Sequence, residues 1–139
     1  MSRQLDALSP RFRPLAVELL ARCAEAGIAV LVVDTVRTPQ EHALNLTNGV
    51  SWTLHSKHLD GRIRGWPWAG SDAIDLAPYE QYQLHGAKKL EWDAVDPVWL
   101  RLGLLGESLG LRWGGRWQTP DLGHFEDPGP ATGPGLVEV

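Results

Sequence analysis

The chain has 139 residues, 43% of them hydrophobic and 22% charged, with a formal net charge of -4 and one cysteine. That length fits one domain with one core and leaves no room for a second domain of ordinary size. The acidic balance lacks the basic face that nucleic-acid binding uses, so no nucleic-acid partner is expected. The lone Cys23 excludes an intrachain disulfide and a thiolate metal site.

The first eight residues carry no basic stretch followed by an apolar run, and so read as no signal peptide. The longest apolar run, residues 28–33, is too short to cross a bilayer. The expectation is a monomer made in the cytoplasm, without membrane insertion.

Ser9-Pro10 reads as a helix cap with proline at the first helical position. Phe12, Leu15, Ala16, Leu19, Cys23 and Ala26 follow at helical spacing, and Gly27 is the stop. Cys23, on that apolar face, reads as a buried structural thiol. Residues 28–33, rich in Val and Ile, predict a buried strand, and Asp34 to Arg37 lead the chain out of it. Thr38-Pro39 opens a second helix to about Leu46, with Asn48-Gly49 as its breaker.

Residues 51–70 are rich in Gly, Trp and charge and have no period, which predicts loops around a site. Residues 73–77 form a short strand ended by Pro78. Asp96-Pro97 opens a third helix with Val98, Leu102, Leu105 and Leu109 on one face and Gly110 as its stop. Gly103 and Gly106 run against helical propensity there. Residues 111–113 and 123–126 predict short strands flanking a Gly-Gly turn, and residues 127–139 an irregular, disordered tail. The sum is a small single α+β domain over residues 1–139, an antiparallel sheet packed against helices.

The chain has five histidines: His42, His55, His58, His85 and His124. Two stand in dense polar contexts, Ser56-Lys57-His58 and Asp121-Leu122-Gly123-His124-Phe125-Glu126. Ala73-Ile74-Asp75-Leu76 adds a carboxylate on a strand. Two imidazoles and a carboxylate make a three-ligand zinc site with a fourth position free, as hydrolytic zinc enzymes need. Taken alone, a histidine near an aspartate is more often a hydrogen-bonding pair. His55 and His85 have no motif around them and read as solvent-facing, as do Glu80 and Glu91.

The segments Ser56-x-His58, Ala73-x-Asp75 and Asp121-x-x-His124-Phe125-Glu126 resemble the signatures of the LAS-type (M15) metallopeptidases. That family includes D-Ala-D-Ala carboxypeptidases and phage L-alanyl-D-glutamate endopeptidases. The run from Leu111 to Trp117, with its Trp-Gly-Gly-Arg-Trp core, and Arg37-Thr38 resemble the endopeptidase branch. The ordered match extends from about Val32 to Glu126.

The resemblance implies zinc ligands His58, Asp75 and His124 in a surface groove, with Asp121 as the catalytic acid and base. It places Arg37 close to metal and substrate, and Ser56 as an orderer of the first ligand motif. The family usually has only a few residues between its first histidine and the aspartate, so residues 63–72 stand as an insertion. This segment holds Trp66, Pro67 and Trp68 and is expected to be a lid or a substrate-contact loop. Asp60 and Asp72 are alternative carboxylates nearby, and Asp75 is preferred for its small-x-Asp-apolar context. His42 stands near a position where the family often has glutamine.

Of the seven tryptophans, Trp99 reads as core. Trp113 and Trp117 are expected to wall the site. Trp52, Trp66 and Trp68 lie in loops where aromatics stack on sugar or peptide, although core or rim packing is the commoner use.

The function implied is a zinc-dependent endolysin cutting the L-Ala–D-Glu bond of the bacterial peptidoglycan stem. It would be made in the host cytoplasm and act on the wall after release. The alternatives are a D-Ala-D-Ala carboxypeptidase of the same fold and a non-catalytic wall-binding zinc module.

Overall fold

The computed structural model describes residues 2–47, 56–79 and 93–135. The expectations for Trp52, His55, His85, Glu80, Glu91 and the Asn48-Gly49 breaker fall outside those residues. In chain order, a short 3-10 turn at Leu5–Ala7 precedes helix α1 (Arg13–Glu25), strand β1 (Val30–Asp34) and helix α2 (Pro39–Thr47). Strand β2 (Ala73–Pro78), helix α3 (Pro97–Ser108), strand β3 (Arg112–Trp113), a 3-10 turn at Gly114–Arg116 and strand β4 (His124–Glu126) follow.

The helices start and stop on local chemistry. Ser9 Oγ accepts from the Phe12 amide at 3.1 Å, and the Ser9 carbonyl accepts from Arg13 at 2.9 Å. Residues 10–12 form a turn first, so regular helix begins later than the cap suggests. α1 buries Ala16, Leu19 and Cys23, and burial pushes the Cys23 thiol up to about 11, which leaves it inert at neutral pH. At the far end, the Gly27 and Ile28 amides return to the carbonyls of Ala24 and Cys23, and Gly27 takes φ +74°. α2 opens on a reciprocal cap: Thr38 Oγ1 accepts from the Glu41 amide at 3.1 Å, and Glu41 Oε1 accepts from the Thr38 amide at 3.0 Å. Asp96 caps α3 by accepting from Val98 at 2.9 Å.

The two glycines that run against helicity in α3 are where the sheet comes closest. A Cβ on Gly103 would lie 2.4 Å from the Trp113 ring, and one on Gly106 would lie 2.4 Å from the Phe125 ring. Close contact between helix and sheet is what the weak helix formers provide.

All strand pairs are antiparallel, in the order β1-β2-β4-β3. Ile74 pairs with Phe125 and Trp113 pairs with Phe125, so these side chains share the face covered by the helices. Leu76, Trp99, Leu102, Phe12 and Leu19 complete that core. Trp113 therefore belongs to the core, not to the wall of a site: its ring lies against α3, and its Nε1 donates to the Leu122 carbonyl at 2.8 Å. β1 also differs from expectation. It begins at Val30 rather than residue 28, and residues 30–33 are half-buried because β1 is an edge strand.

The stretch after β4 is irregular, as expected, but residues 127–135 are fastened rather than free. Gly133 donates to the Arg64 carbonyl at 2.7 Å and Gly135 to the Gly65 carbonyl at 3.0 Å. The Gly-Gly pair forms the 3-10 turn Gly114–Arg116 instead of a tight strand-to-strand turn.

Candidate metal centre

Side chains alternate across a sheet, so the neighbours of the core residues point to the opposite face. Asp75 pairs with His124 across β2 and β4. On the other side, β1 carries a bulge between Val32 and Asp34 that brings Asp34 opposite Asp75. Asp34, Asp75 and His124 thus form one row across three strands. A bulge that re-aims a side chain beside a site is a recurrent device.

His58 reaches this row from a loop whose backbone is tied to β1's exit. Arg37 donates its amide to the His58 carbonyl at 2.7 Å. Ser56 Oγ accepts from the His58 amide at 3.2 Å, so Ser56 shapes the turn that presents the ring.

Three atoms converge. His58 Nε2 and His124 Nδ1 each lie 3.1 Å from Asp75 Oδ1. The three residues offer ligand atoms that all lie within 4.8 Å of one another, and they form the metal-competent cluster among the described residues. The other nitrogen of each ring has an acceptor: His58 Nδ1 faces the Thr35 carbonyl at 2.6 Å, and His124 Nε2 faces Glu126 Oε1 at 2.8 Å. An acceptor on the outer nitrogen places hydrogen there and frees the inner lone pair for a cation. Two nitrogens and one carboxylate oxygen suit a borderline ion such as zinc. The residues therefore fit a divalent metal.

Electrostatics agree with that geometry. Burial would raise the Asp75 pKa, but the charges and hydrogen bonds of His58 and His124 hold it well below the usual carboxylate range. Burial opposes charge on His124, yet hydrogen bonds to Asp75 and Glu126 raise its pKa to about 10. Burial and then the Asp75 carboxylate raise the Asp121 pKa, against the pull of His124, His58 and Arg37. Asp121 thus shares the field of the cluster. Its backbone forms the turn into β4, with the His124 amide donating to the Asp121 carbonyl at 3.3 Å.

The other carboxylates that competed with Asp75 are engaged elsewhere. Asp72 accepts from Ser9, Arg64 and Trp68, and Asp60 accepts from Arg62 and the Gly70 amide. Arg37 Nη2 donates to Asp34 Oδ2 at 3.1 Å, and Arg37 Nη1 lies 3.5 Å from His42 Nδ1. Trp117 lies against His124, ring centroids 4.8 Å apart.

Trp66 and Trp68 stack on each other at 4.8 Å and 10°, with Arg11 over Trp68 and Gly133 close against Trp66. The two rings thus pack on the N-terminal region and on the chain after β4. Arg64, 1% exposed, holds it in place through the Leu59 carbonyl, the Ala131 carbonyl and Asp72. These bonds tie the segment to Leu59 and to the chain after β4.

Three residues escaped the sequence reading. Asp34 is buried and aligned only because of the bulge. Thr35 acts through its carbonyl, which no side-chain pattern reveals. Lys57 stands in the sequence only as the middle of Ser-Lys-His, yet it is 5% exposed, and a buried lysine demands partners.

A family model described as D-alanyl-D-alanine carboxypeptidase, of the M15 peptidases, matches residues 69–127. The matched stretch contains Asp75, Asp121 and His124. The L-alanyl-D-glutamate peptidase of Listeria phage A118 is 29% identical over 113 residues, covering 81% of this chain. Over residues 69–127 the chain resembles the M15 peptidases. It spans 35% of the length of that phage relative. The crystal structure of Serratia marcescens L-Ala D-Glu endopeptidase ChiX shares the fold, with a TM-score of 0.58 and 22% identity over 88% of this chain and 81% of the other. M15 peptidases are generally metal-dependent, which accords with the His-Asp-His cluster.

Proposed function

We propose that the chain is a zinc-dependent peptidase of bacterial peptidoglycan that hydrolyses the L-Ala–D-Glu bond of the peptide stem, as an endolysin does. The convergence of His58 Nε2 and His124 Nδ1 on Asp75 Oδ1 supports this reading most. These three residues would hold the zinc, which supplies Lewis acidity to the scissile carbonyl and lowers the pKa of water at the site.

The chain's own groups do the rest. Asp121 accepts the proton of the attacking water and delivers it to the leaving amine; its raised pKa suits a group that must both take and give a proton. Arg37, steered by Asp34, supplies a fixed cation for the developing oxyanion or for a stem carboxylate. Ser56 keeps the His58 turn in place and lies beside the substrate path. Trp117 walls the groove next to His124, and the Trp66–Trp68 stack forms a more distant substrate contact. Residues 1–139 act as one monomeric catalytic domain, made in the host cytoplasm and working on the wall after release. Among the described residues, no helix is long and apolar enough to cross a membrane.

The two named relatives are L-alanyl-D-glutamate peptidases, and this supports the endopeptidase assignment. A second reading, release of terminal D-Ala, is favoured by the description of the matching family model. The test is turbidity clearing of purified peptidoglycan by protein stripped with chelator and then reloaded with zinc. The expected result is loss and recovery of clearing, with about one zinc per chain. Full clearing by metal-free protein would overturn the proposal.

A further inference from the structure

Lys57 sits between Ser56 and His58 and is 5% exposed. Its Nζ lies 2.9 Å from Glu126 Oε2 and donates to the carbonyls of Asp127 and Gly129. An ammonium has three donors, and these three acceptors use them all. Glu126 spends its other oxygen on His124 Nε2, at 2.8 Å. The path runs unbroken from the segment after β4, through Lys57 and Glu126, to the ring of His124.

That segment is itself anchored. Arg11 holds the Asp127 carboxylate at 3.1 Å, Arg64 Nη1 donates to the Ala131 carbonyl at 2.8 Å, and Arg112 donates to the Pro128 carbonyl at 3.2 Å. The Asp127 amide donates to the Asp72 carbonyl at 2.9 Å, and the Asp72 amide to the Lys57 carbonyl at 2.9 Å. A buried ion pair contributes little net stability compared with apolar packing of the same volume. What it does provide is a fixed direction for the carboxylate it holds.

We infer that Lys57 is a positioning residue for His124, and that residues 127–129 serve as its anchor. Lys57 fixes Glu126, and Glu126 fixes the orientation of the imidazole and the nitrogen that carries hydrogen. This inference rests on the proposed role of His124 as a ligand. It also gives residues 127–129 a task in the metal centre. The loop that presents His58 would thereby set the geometry of His124 as well, so that both imidazoles are placed by one short stretch of chain.

The test compares zinc dissociation constants, by chelator competition, for the full chain and its Lys57→Met, Glu126→Gln, Glu126→Ala and His124→Ala variants. The His124 Nε2–H resonance of the zinc-loaded protein is followed alongside. Lys57→Met is expected to weaken zinc binding by about tenfold or more, the usual scale for lost outer partners, and to broaden or shift that resonance. Glu126→Gln, which keeps an acceptor for the ring, should stay nearer to the parent than Glu126→Ala. If Lys57→Met does not fold, as judged by tryptophan near-ultraviolet dichroism, the two Glu126 variants decide the question. Parent-like constants and an unchanged resonance in Lys57→Met, or parent-like constants in Glu126→Ala, would overturn the inference while leaving the ligand reading intact. Parent-like zinc binding in His124→Ala would overturn both.

Discussion

His124 Nε2 lies 2.8 Å from Glu126 Oε1, two residues along the same strand and so on the same face of the sheet. With that nitrogen engaged, Nδ1 is the atom left to face Asp75 and a cation. In the metal-free chain the ring also carries a proton on Nδ1 at neutral pH, since its pKa is raised to about 10. Metal uptake must displace that proton. Calorimetry at about pH 7.5 in buffers of different ionisation enthalpy should show close to one proton released per zinc bound; no release would contradict the arrangement.

The same shift governs the stability of the metal-free protein. Folding raises the His124 pKa from 6.5 to about 10, so the folded state favours the protonated ring. The contribution is complete below about 6.5 and is lost as pH rises through about 10. The Tm of metal-free protein should therefore fall between those values, while zinc affinity rises over the same range. A flat Tm profile in a His124→Ala variant and a sloping one in the parent would assign the effect to this ring.

Asp121→Ala should leave fold and zinc content unchanged and lower kcat by about a hundredfold or more, the usual size of general acid–base help. Zinc content and kcat measured on the same preparation check this. A variant that loses zinc but keeps normal activity per bound metal would make Asp121 structural.

Arg64 and Asp72 are 1% and 4% exposed and paired with each other. Removing one charge leaves the other buried and unpaired, which costs about 3–5 kcal/mol. Arg64→Ala should lower the unfolding free energy by that amount, read by urea titration, and should release residues 127–135 to proteolysis. Arg62→Ala, at an exposed pair, serves as the control and should be close to neutral.

Much of the centre was legible because each site residue sits in a short local pattern. A small-x-Asp strand, a Ser-x-His turn and an Asp-x-x-His-Phe-Glu run can be read without knowing the sheet. The core faces of α1 and α3 were legible for the same reason, since helical period is local. What could not be read depends on which strands meet. Asp34 lines up with Asp75 only because one residue bulges out of β1. Trp113 looks like a site residue beside Gly114-Gly115, and becomes core only because β3 pairs with β4 under α3. The docking of residues 127–135 follows from a pairing with residues 64 and 65, far away in sequence, and glycine- and proline-rich composition alone suggested a loose tail. Trp66 and Trp68 read as loop aromatics, and their contacts with Arg11 and Gly133 come from segments far away in sequence.

Mass spectrometry of purified peptidoglycan fragments after digestion by zinc-loaded protein tests the proposed peptidase most directly. Stem peptides with a new amino terminus on D-Glu, paired with glycan strands ending in L-Ala, are the predicted products, and they should vanish in Asp75→Ala. Release of free D-Ala with the L-Ala–D-Glu bond intact, or no new termini at all, would contradict it.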